Sequence, residues 1–184
     1  DSDSYDRGGN VVIDLPLAGS YQMRITGSAG AYGFRLLDLA AATPITAGPA
    51  TVSGALTPGR STATYRFSSM AGEKIVLDVA NGFDGSVRII DSFGRPLFEP
   101  EGFSDRTYTL PTTGEYTLLL EGRIYSGLAS DDFSFVLNRP ADPTPVNLVF
   151  GTTYTGTQAA AGDVQRYRFT LAAPKMVAFD SLAN

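Results

Sequence analysis

Residues 108–120 read Tyr108-Thr109-Leu110-Pro111-Thr112-Thr113-Gly114-Glu115-Tyr116-Thr117-Leu118-Leu119-Leu120. Apolar and polar residues alternate up to Leu110, a Pro-Thr-Thr-Gly turn follows, and a second run starts at Tyr116. Alternation at period two marks strands with one buried face, and the Pro/Gly cluster marks a tight connection. The spacing therefore predicts two short strands joined in the manner of a hairpin. The same phrase occurs earlier, as Leu15-Pro16-Leu17-Ala18-Gly19-Ser20-Tyr21-Gln22-Met23-Arg24-Ile25. The chain repeats itself, and the repeat sets its organisation.

Tyr21 and Tyr116 lie 95 residues apart, and Phe34 and Phe135 lie 101 apart. The difference of six falls in one loop, residues 26–31 against the longer loop at 121–132. Tyr65-Arg66-Phe67 matches Tyr167-Arg168-Phe169 at an offset of 102, without gaps as far as Asp78 and Asp180. Matched strands with loops of unequal length are the mark of tandem modules, and a period of about 100 residues suits an independently folding unit. The expected layout is the C-terminal half of one module at 1–43, a complete module at 48–142, and the N-terminal half of another at 146–184. On this reading the segment starts and stops inside modules of a longer chain.

Between those anchors the pattern is short strands and turns. Residues 1–10 form an acidic, flexible lead-in. Tyr21, Met23 and Ile25 alternate with polar neighbours, as do Tyr32, Phe34 and Leu36. Thr57-Pro58-Gly59, Ala71-Gly72 and Asn81-Gly82 punctuate the second module, and Tyr65/Phe67, Ile75/Leu77/Val79, Val87/Ile89 and Phe133/Phe135/Leu137 are its buried faces. Proline-bearing linkers lie at 40–49 and 139–145. No helical period is sustained. Short strands at intervals of about 8–12 residues predict an all-β, antiparallel β-sandwich, jelly-roll-like, with no significant helix.

The composition narrows the function. The 184 residues include 20 Gly and 11 Pro, and no His, Cys or Trp. Without His or Cys there is no Ser-His-Asp or Cys-His centre, no disulfide and no Cys-type zinc site. A net charge of −5 disfavours a nucleic-acid partner, which wants a basic face. No apolar run reaches the length of a membrane span, so no membrane insertion is expected.

A wider pattern runs through Gly54, Tyr65, Phe67, Ala71, Gly72, Ile75, Leu77, Val79, Val87, Ile89, Asp91, Gly94 and Leu97. It continues through Leu110, Gly114, Tyr116, Leu118, Leu120, Gly122, Phe133, Phe135 and Leu137. It resembles the bacterial pre-peptidase C-terminal domain and its relatives. The resemblance implies a jelly-roll-like sandwich of eight or so strands. Such modules are accessory domains of secreted peptidases and recur in arrays within very large bacterial surface proteins and adhesins. The Phe179-Asp180-Ser181-Leu182 version in the third module is closer to the array type.

Candidate sites are sparse. Tyr21, Tyr65, Tyr116 and Tyr167 are expected in the core or pinning a corner of the sandwich. Phe83, Phe103 and Tyr125 fall in loops, where an aromatic ring is a ligand-contact candidate. Asp84, Asp91, Glu99, Glu101 and Asp105 are candidates for one structural Ca2+ site, since that ion takes clustered oxygens. The pairs Glu99/Glu101 and Asp131/Asp132 read as solvated loop carboxylates, and Arg60, Arg95 and Arg106 as solvated cations. The reading that follows is a non-catalytic tandem β-sandwich segment of an exported bacterial surface protein, outside the cell or on its surface, acting as spacer and adhesion module. The alternative is an accessory module that targets a secreted peptidase or other hydrolase to protein or polysaccharide. Expected partners are neighbouring modules, an extracellular protein or polysaccharide, and the half-modules themselves in head-to-tail pairing.

Overall fold

The computed structural model describes residues 11–97, 101–140, 143–158 and 163–182. The lead-in at 1–10, Glu99 and the side chain of Glu101 lie outside the described residues. Two compact units are present, Asp1–Arg139 and Pro140–Asn184.

Among the described residues of the first unit, nine strands form two sheets. They are β1 (Thr43–Pro44), β2 (Thr51–Leu56), β3 (Thr62–Ser69), β4 (Lys74–Asn81), β5 (Gly85–Ile90), β6 (Glu101–Gly102), β7 (Arg106–Thr109), β8 (Gly114–Gly122) and β9 (Asp131–Asn138). One sheet has the order β1-β3-β8-β5-β6 and the other β2-β9-β4-β7. All pairings are antiparallel except β1 with β3. The fold is an antiparallel β-sandwich, and a three-residue 3-10 turn at Leu39–Ala41 is the helical element among the described residues.

The core lies between the sheets and follows the period-two pattern. Phe67 faces Tyr116 across β3 and β8, and their rings stack with centroids 5.7 Å apart. Ile75 and Leu77 of β4, Leu118 and Leu120 of β8, and Phe135 of β9 are fully buried. Tyr65 meets Phe133 and Phe135 edge to face, the offset geometry that aromatic quadrupoles prefer.

The stretch 108–120 differs from its hairpin expectation. β7 hydrogen-bonds to β4 in one sheet, whereas β8 lies between β3 and β5 in the other. The Pro-Thr-Thr-Gly turn carries the chain from sheet to sheet. The reason is local. Leu110 exchanges backbone bonds with the β3–β4 turn, donating to Glu73 O and accepting from Gly72 N–H. Pro111 has no N–H to extend that ladder, and the Tyr116 side chain closes the turn (below).

Residues 11–38 contain no strand, although alternation predicts strands at Tyr21–Ile25 and Tyr32–Leu36. Tyr21, Met23, Ile25, Tyr32, Phe34 and Leu36 are exposed, and Tyr21 therefore leaves the core expected for it. A strand exists through the ladder bonds it exchanges with neighbours. In the complete sandwich β8 bonds to β3 and β5, and β9 to β2 and β4. Residues 11–38 find no such ladder among the described residues.

The second unit holds β10 (Val146–Asn147) and β11 (Tyr167–Arg168), a parallel pair. Tyr154 and Tyr167 meet edge to face in it, and Tyr167 is half-exposed.

Candidate functional site

Three local structures on the first unit have side chains set for a purpose: a turn closed by tyrosine, turns closed by carboxylates, and the loop between β8 and β9. Tyr116 starts the core-facing set of β8 and is 1% exposed. Its hydroxyl donates to Thr112 O at 2.6 Å and accepts from Thr112 N–H at 3.1 Å, with Thr112 Oγ1 at 2.9 Å. This is the corner expected from the sequence. It satisfies backbone groups that leave one sheet before reaching the other.

Asp91 lies where β5 ends. Its Oδ1 accepts from Phe93 N–H and Arg95 N–H, both at 2.9 Å, and its Oδ2 from Arg95 Nε at 2.9 Å. Gly94 adopts φ +76° in this turn, which glycine takes without strain. Burial pushes the Asp91 carboxyl up, and the Arg95 and Phe93 hydrogen bonds with the Arg95 charge outweigh it, so its pKa is lowered. Arg95, read as solvated, keeps a side chain 65% exposed while it pairs with Asp91, and it also lies over the Phe93 ring at 5.0 Å. Glu73 works in the same way in the β3–β4 turn. It accepts from the Ser69 hydroxyl and Met70 N–H and pairs with Arg139 Nε at 2.6 Å. Its pKa too is lowered: burial opposes, and Ser69, Met70 and Arg139 prevail.

The acidic candidates are dispersed. Asp84 and Asp91 flank β5, and seven residue steps along a strand cover about 23 Å. One cation cannot draw on both. Asp84 pairs with Arg123 at 3.3 Å, and Asp105 accepts from Val79 N–H at 2.8 Å. Among the described residues no group of three or more His, Cys, Asp or Glu is placed to hold a metal.

Two aromatic candidates move inward. Phe83 and Phe103 are 7% and 9% exposed, with ring centroids 4.8 Å apart, and both rest against Phe133. They cap the core where β4 crosses to β5 and β6 to β7, so neither presents a face to a ligand. A loop position in the sequence does not fix which way a ring turns when the loop closes the end of a sandwich.

Tyr125 is different, at 79% exposed. It lies in the loop at 123–130 with Ile124 and Leu128, also exposed. The loop backbone is tied down. Ser126 N–H donates to Arg123 O, Arg123 N–H to Asp84 O, and Gly59 N–H to Leu128 O. Ser130 and Thr57 hydroxyls lie 3.3 Å apart. Gly59 is a seat for the loop, since a Cβ there would come within 2.9 Å of Ser126 Oγ. Ile124 and Leu128 were not legible as surface residues, because isolated aliphatics in a loop have no periodicity to assign them a face.

The outer face of the β3-β8-β5 sheet carries one further feature that alternation hides. Arg88 Nε and Nη2 donate to Glu121 Oε2 and Oε1 at 2.8 and 2.7 Å, a two-bond fork, with Glu121 fully buried. Ser86, Ile90 and Leu119 are buried around it on the same face.

No family model matches the chain, and no curated protein matches it either. Solved structures do. PliG from Aeromonas hydrophila, a periplasmic inhibitor of g-type lysozyme, is 17% identical, with 53% of this chain and 98% of that one covered and a TM-score of 0.42. PliG from Salmonella Typhimurium is 20% identical over 50% of this chain and 94% of that one, at 0.39. The pre-peptidase C-terminal domain of a collagenase from Bacillus anthracis is 17% identical over 53% of this chain and 94% of that one, at 0.42.

Proposed function

We propose that the chain is a non-catalytic segment of tandem β-sandwich modules from a large exported bacterial surface protein, in which the sandwich at 43–139 serves as a rigid spacer and contact-bearing bead. The observation that carries this reading is a recurrence in the second unit. In the sandwich, β1 runs parallel to β3 with Thr43 opposite Tyr65, and Ile45 N–H donates to Arg66 O at 2.9 Å. In the second unit, β10 runs parallel to β11 with Val146 opposite Tyr167, and Leu148 N–H donates to Arg168 O at 2.7 Å. The sequence offset already pairs Tyr65 with Tyr167, so one chain builds the same opening element twice. The Tyr21 hydroxyl likewise donates to Leu17 O, four residues earlier, as Tyr116 does to Thr112.

The chemistry agrees with a non-catalytic role. A chain without His or Cys would need carboxylates, Lys or Tyr as its acid–base groups. Asp91 and Glu73, whose pKa values are shifted, are shifted down by turn-closing bonds, which suits an anchor and not a proton donor at neutral pH.

The test is excision. A polypeptide of residues 42–139 should be monomeric, unfold in one cooperative transition and keep the sheet signal of the sandwich in circular dichroism. A non-cooperative or collapsed product would overturn the bead reading. Binding of the same polypeptide to a polysaccharide array would favour the targeting alternative over the spacer.

A further inference from the structure

The segment that leads into the sandwich is fastened along its length. Ala42 is buried, and Ile45 and Ala47 pack against the core. Ile45 N–H donates to Arg66 O at 2.9 Å, and Gly48 N–H donates to Leu137 O at 2.8 Å. Arg66 Nε donates to Ala42 O at 3.1 Å, while its Nη1 pairs with Glu115 of β8 at 3.0 Å. One guanidinium thus ties the entering backbone to β8, across β3. β1 is the edge strand of its sheet, where Pro44 can sit without breaking the ladder.

The direction of these bonds sets what they resist. β1 runs parallel to β3. Upstream of β1, Arg35 Nη2 donates to Thr62 O at the start of β3. At the other end of β3 the departing Arg139 donates from Nη2 to Ser68 O, and its Nε pairs with Glu73. The chain therefore comes in from one end of β3 and leaves at the other. Tension between entry and exit drags β1 lengthwise along β3, and inter-strand bonds that cross this line give way together. β2 and β9 are set differently. They are antiparallel, with Thr51 opposite Val136 and Leu56 opposite Asp131, so the start of β2 lies beside the end of β9. Tension applied there peels the two strands apart one pair at a time.

The second unit repeats the fastening. Val146 N–H donates to Arg166 O at 2.8 Å, Leu148 N–H donates to Arg168 O at 2.7 Å, and Arg168 Nε donates to Asn147 Oδ1 at 2.6 Å. The offset of 102 makes Arg168 the counterpart of Arg66.

We infer that residues 42–48, with Arg66, form a tension latch, in which the linker ahead of the sandwich docks in shear and a pull along the chain meets several hydrogen bonds at once. The inference rests on the tandem-module reading, since a bead is pulled from both sides when it is strung between neighbours. A segment that did no more than cover the β3 edge would serve in either direction. The parallel direction, repeated at β10 and β11, is the one that holds against tension.

The experiment pulls the full chain in an optical trap. The chain has no cysteine, so two introduced thiols fix where the handles attach. Ala41→Cys with Thr144→Cys loads the sandwich through the latch, and Ala50→Cys with Thr144→Cys bypasses it; all three positions are exposed. At equal force, unfolding through residue 41 should be about tenfold or more slower than through residue 50, because several bonds break together and forced unfolding is set by the unfolding rate. Arg66→Ala should narrow that gap, speeding unfolding through residue 41 more than through residue 50. Equal rates from the two points, faster unfolding through residue 41, or an equal effect of Arg66→Ala on both would overturn the latch. If Arg66→Ala does not fold, the comparison of the two loading points in the parent background decides alone. Equal rates alongside an excised polypeptide of residues 42–139 that folds cooperatively would remove the latch and leave the bead. A gap between the loading points alongside an excised polypeptide that fails to fold would do the reverse.

Discussion

The Tyr116 hydroxyl donates to Thr112 O at 2.6 Å, four residues back along the chain, and its ring stacks on Phe67 across the neighbouring strand. One side chain thus closes the sheet-to-sheet turn and fills the core beneath it. Tyr116→Phe keeps the ring and removes the hydroxyl that bonds both the N–H and the carbonyl of Thr112. The expected loss is about 1–3 kcal/mol for a buried hydrogen bond with its partner left wanting. Denaturant titration checks it, with the slope of the transition unchanged. Thr112→Ala leaves both backbone bonds in place and should lose less.

Glycines mark where the two layers and their turns approach too closely for a side chain. A Cβ on Gly122 would lie 1.9 Å from Gly59 O, and one on Gly54 would lie 2.7 Å from the tip of the Phe133 ring. Gly122 faces a backbone carbonyl that has nowhere to go, whereas Gly54 faces a ring that can tilt. Gly122→Ala should therefore abolish folding or cost well over the ordinary 1–3 kcal/mol of overpacking, with Gly54→Ala near that range. Gly102→Ala, where nothing lies within 4 Å, is the control and should be silent. Yield of soluble protein and thermal unfolding rank the three.

The Arg88–Glu121 fork links β5 to β8 on a face where alternation predicts solvent. Breaking a buried pair by neutralising one side leaves the other charge uncompensated, at roughly 3–5 kcal/mol. Arg88→Met and Glu121→Leu should each be strongly destabilised. The double variant should be more stable than either single one, because apolar groups of similar volume suit a site lined by Ile90 and Leu119. A double-mutant cycle by chemical denaturation measures the coupling. Additive losses would mean that the two side chains act separately.

How far the fold was legible follows from these sites. The faces of β3, β4, β8 and β9 were readable because Tyr65/Phe67, Ile75/Leu77, Leu118/Leu120 and Phe133/Phe135/Leu137 alternate, and these are the residues that fill the core between the sheets. Which sheet each strand joins was not readable: the turn at 111–114 has hairpin composition, yet β7 and β8 part company there. Phe83 and Phe103 were placed in loops correctly but on the surface wrongly, since end-capping rings lie outside any period. The dispersal of Asp84 and Asp91 was already implied by Val87, Ile89 and Ile90, since a strand between two residues holds them far apart. Arg88 and Glu121 were hidden because a polar residue at an outward position looks the same whether or not something covers it.

Asp91 and Glu73 set the behaviour in acid. Both carboxyls titrate below their ordinary values in the folded chain, because the ionised forms accept turn hydrogen bonds and face Arg95 and Arg139. A group with a depressed folded pKa binds its proton more weakly folded than unfolded, so the unfolded chain holds more protons in the window between the two values. Stability then rises with pH across that window and is full above the unfolded value, near 4 for such groups. As pH falls through the lowered folded values the contribution disappears, and below both it is gone. Chemical denaturation of the parent should therefore give a flat stability from neutral pH down to about pH 5 and a fall below about pH 4. Asp91→Asn keeps an oxygen for Phe93 and Arg95 N–H but carries no charge for Arg95. It should be less stable than the parent at neutral pH and converge on it in acid, with Glu73→Gln behaving in the same sense. Parallel curves for parent and Asp91→Asn across the whole range would mean that the depressed carboxyl contributes nothing to the acid limb.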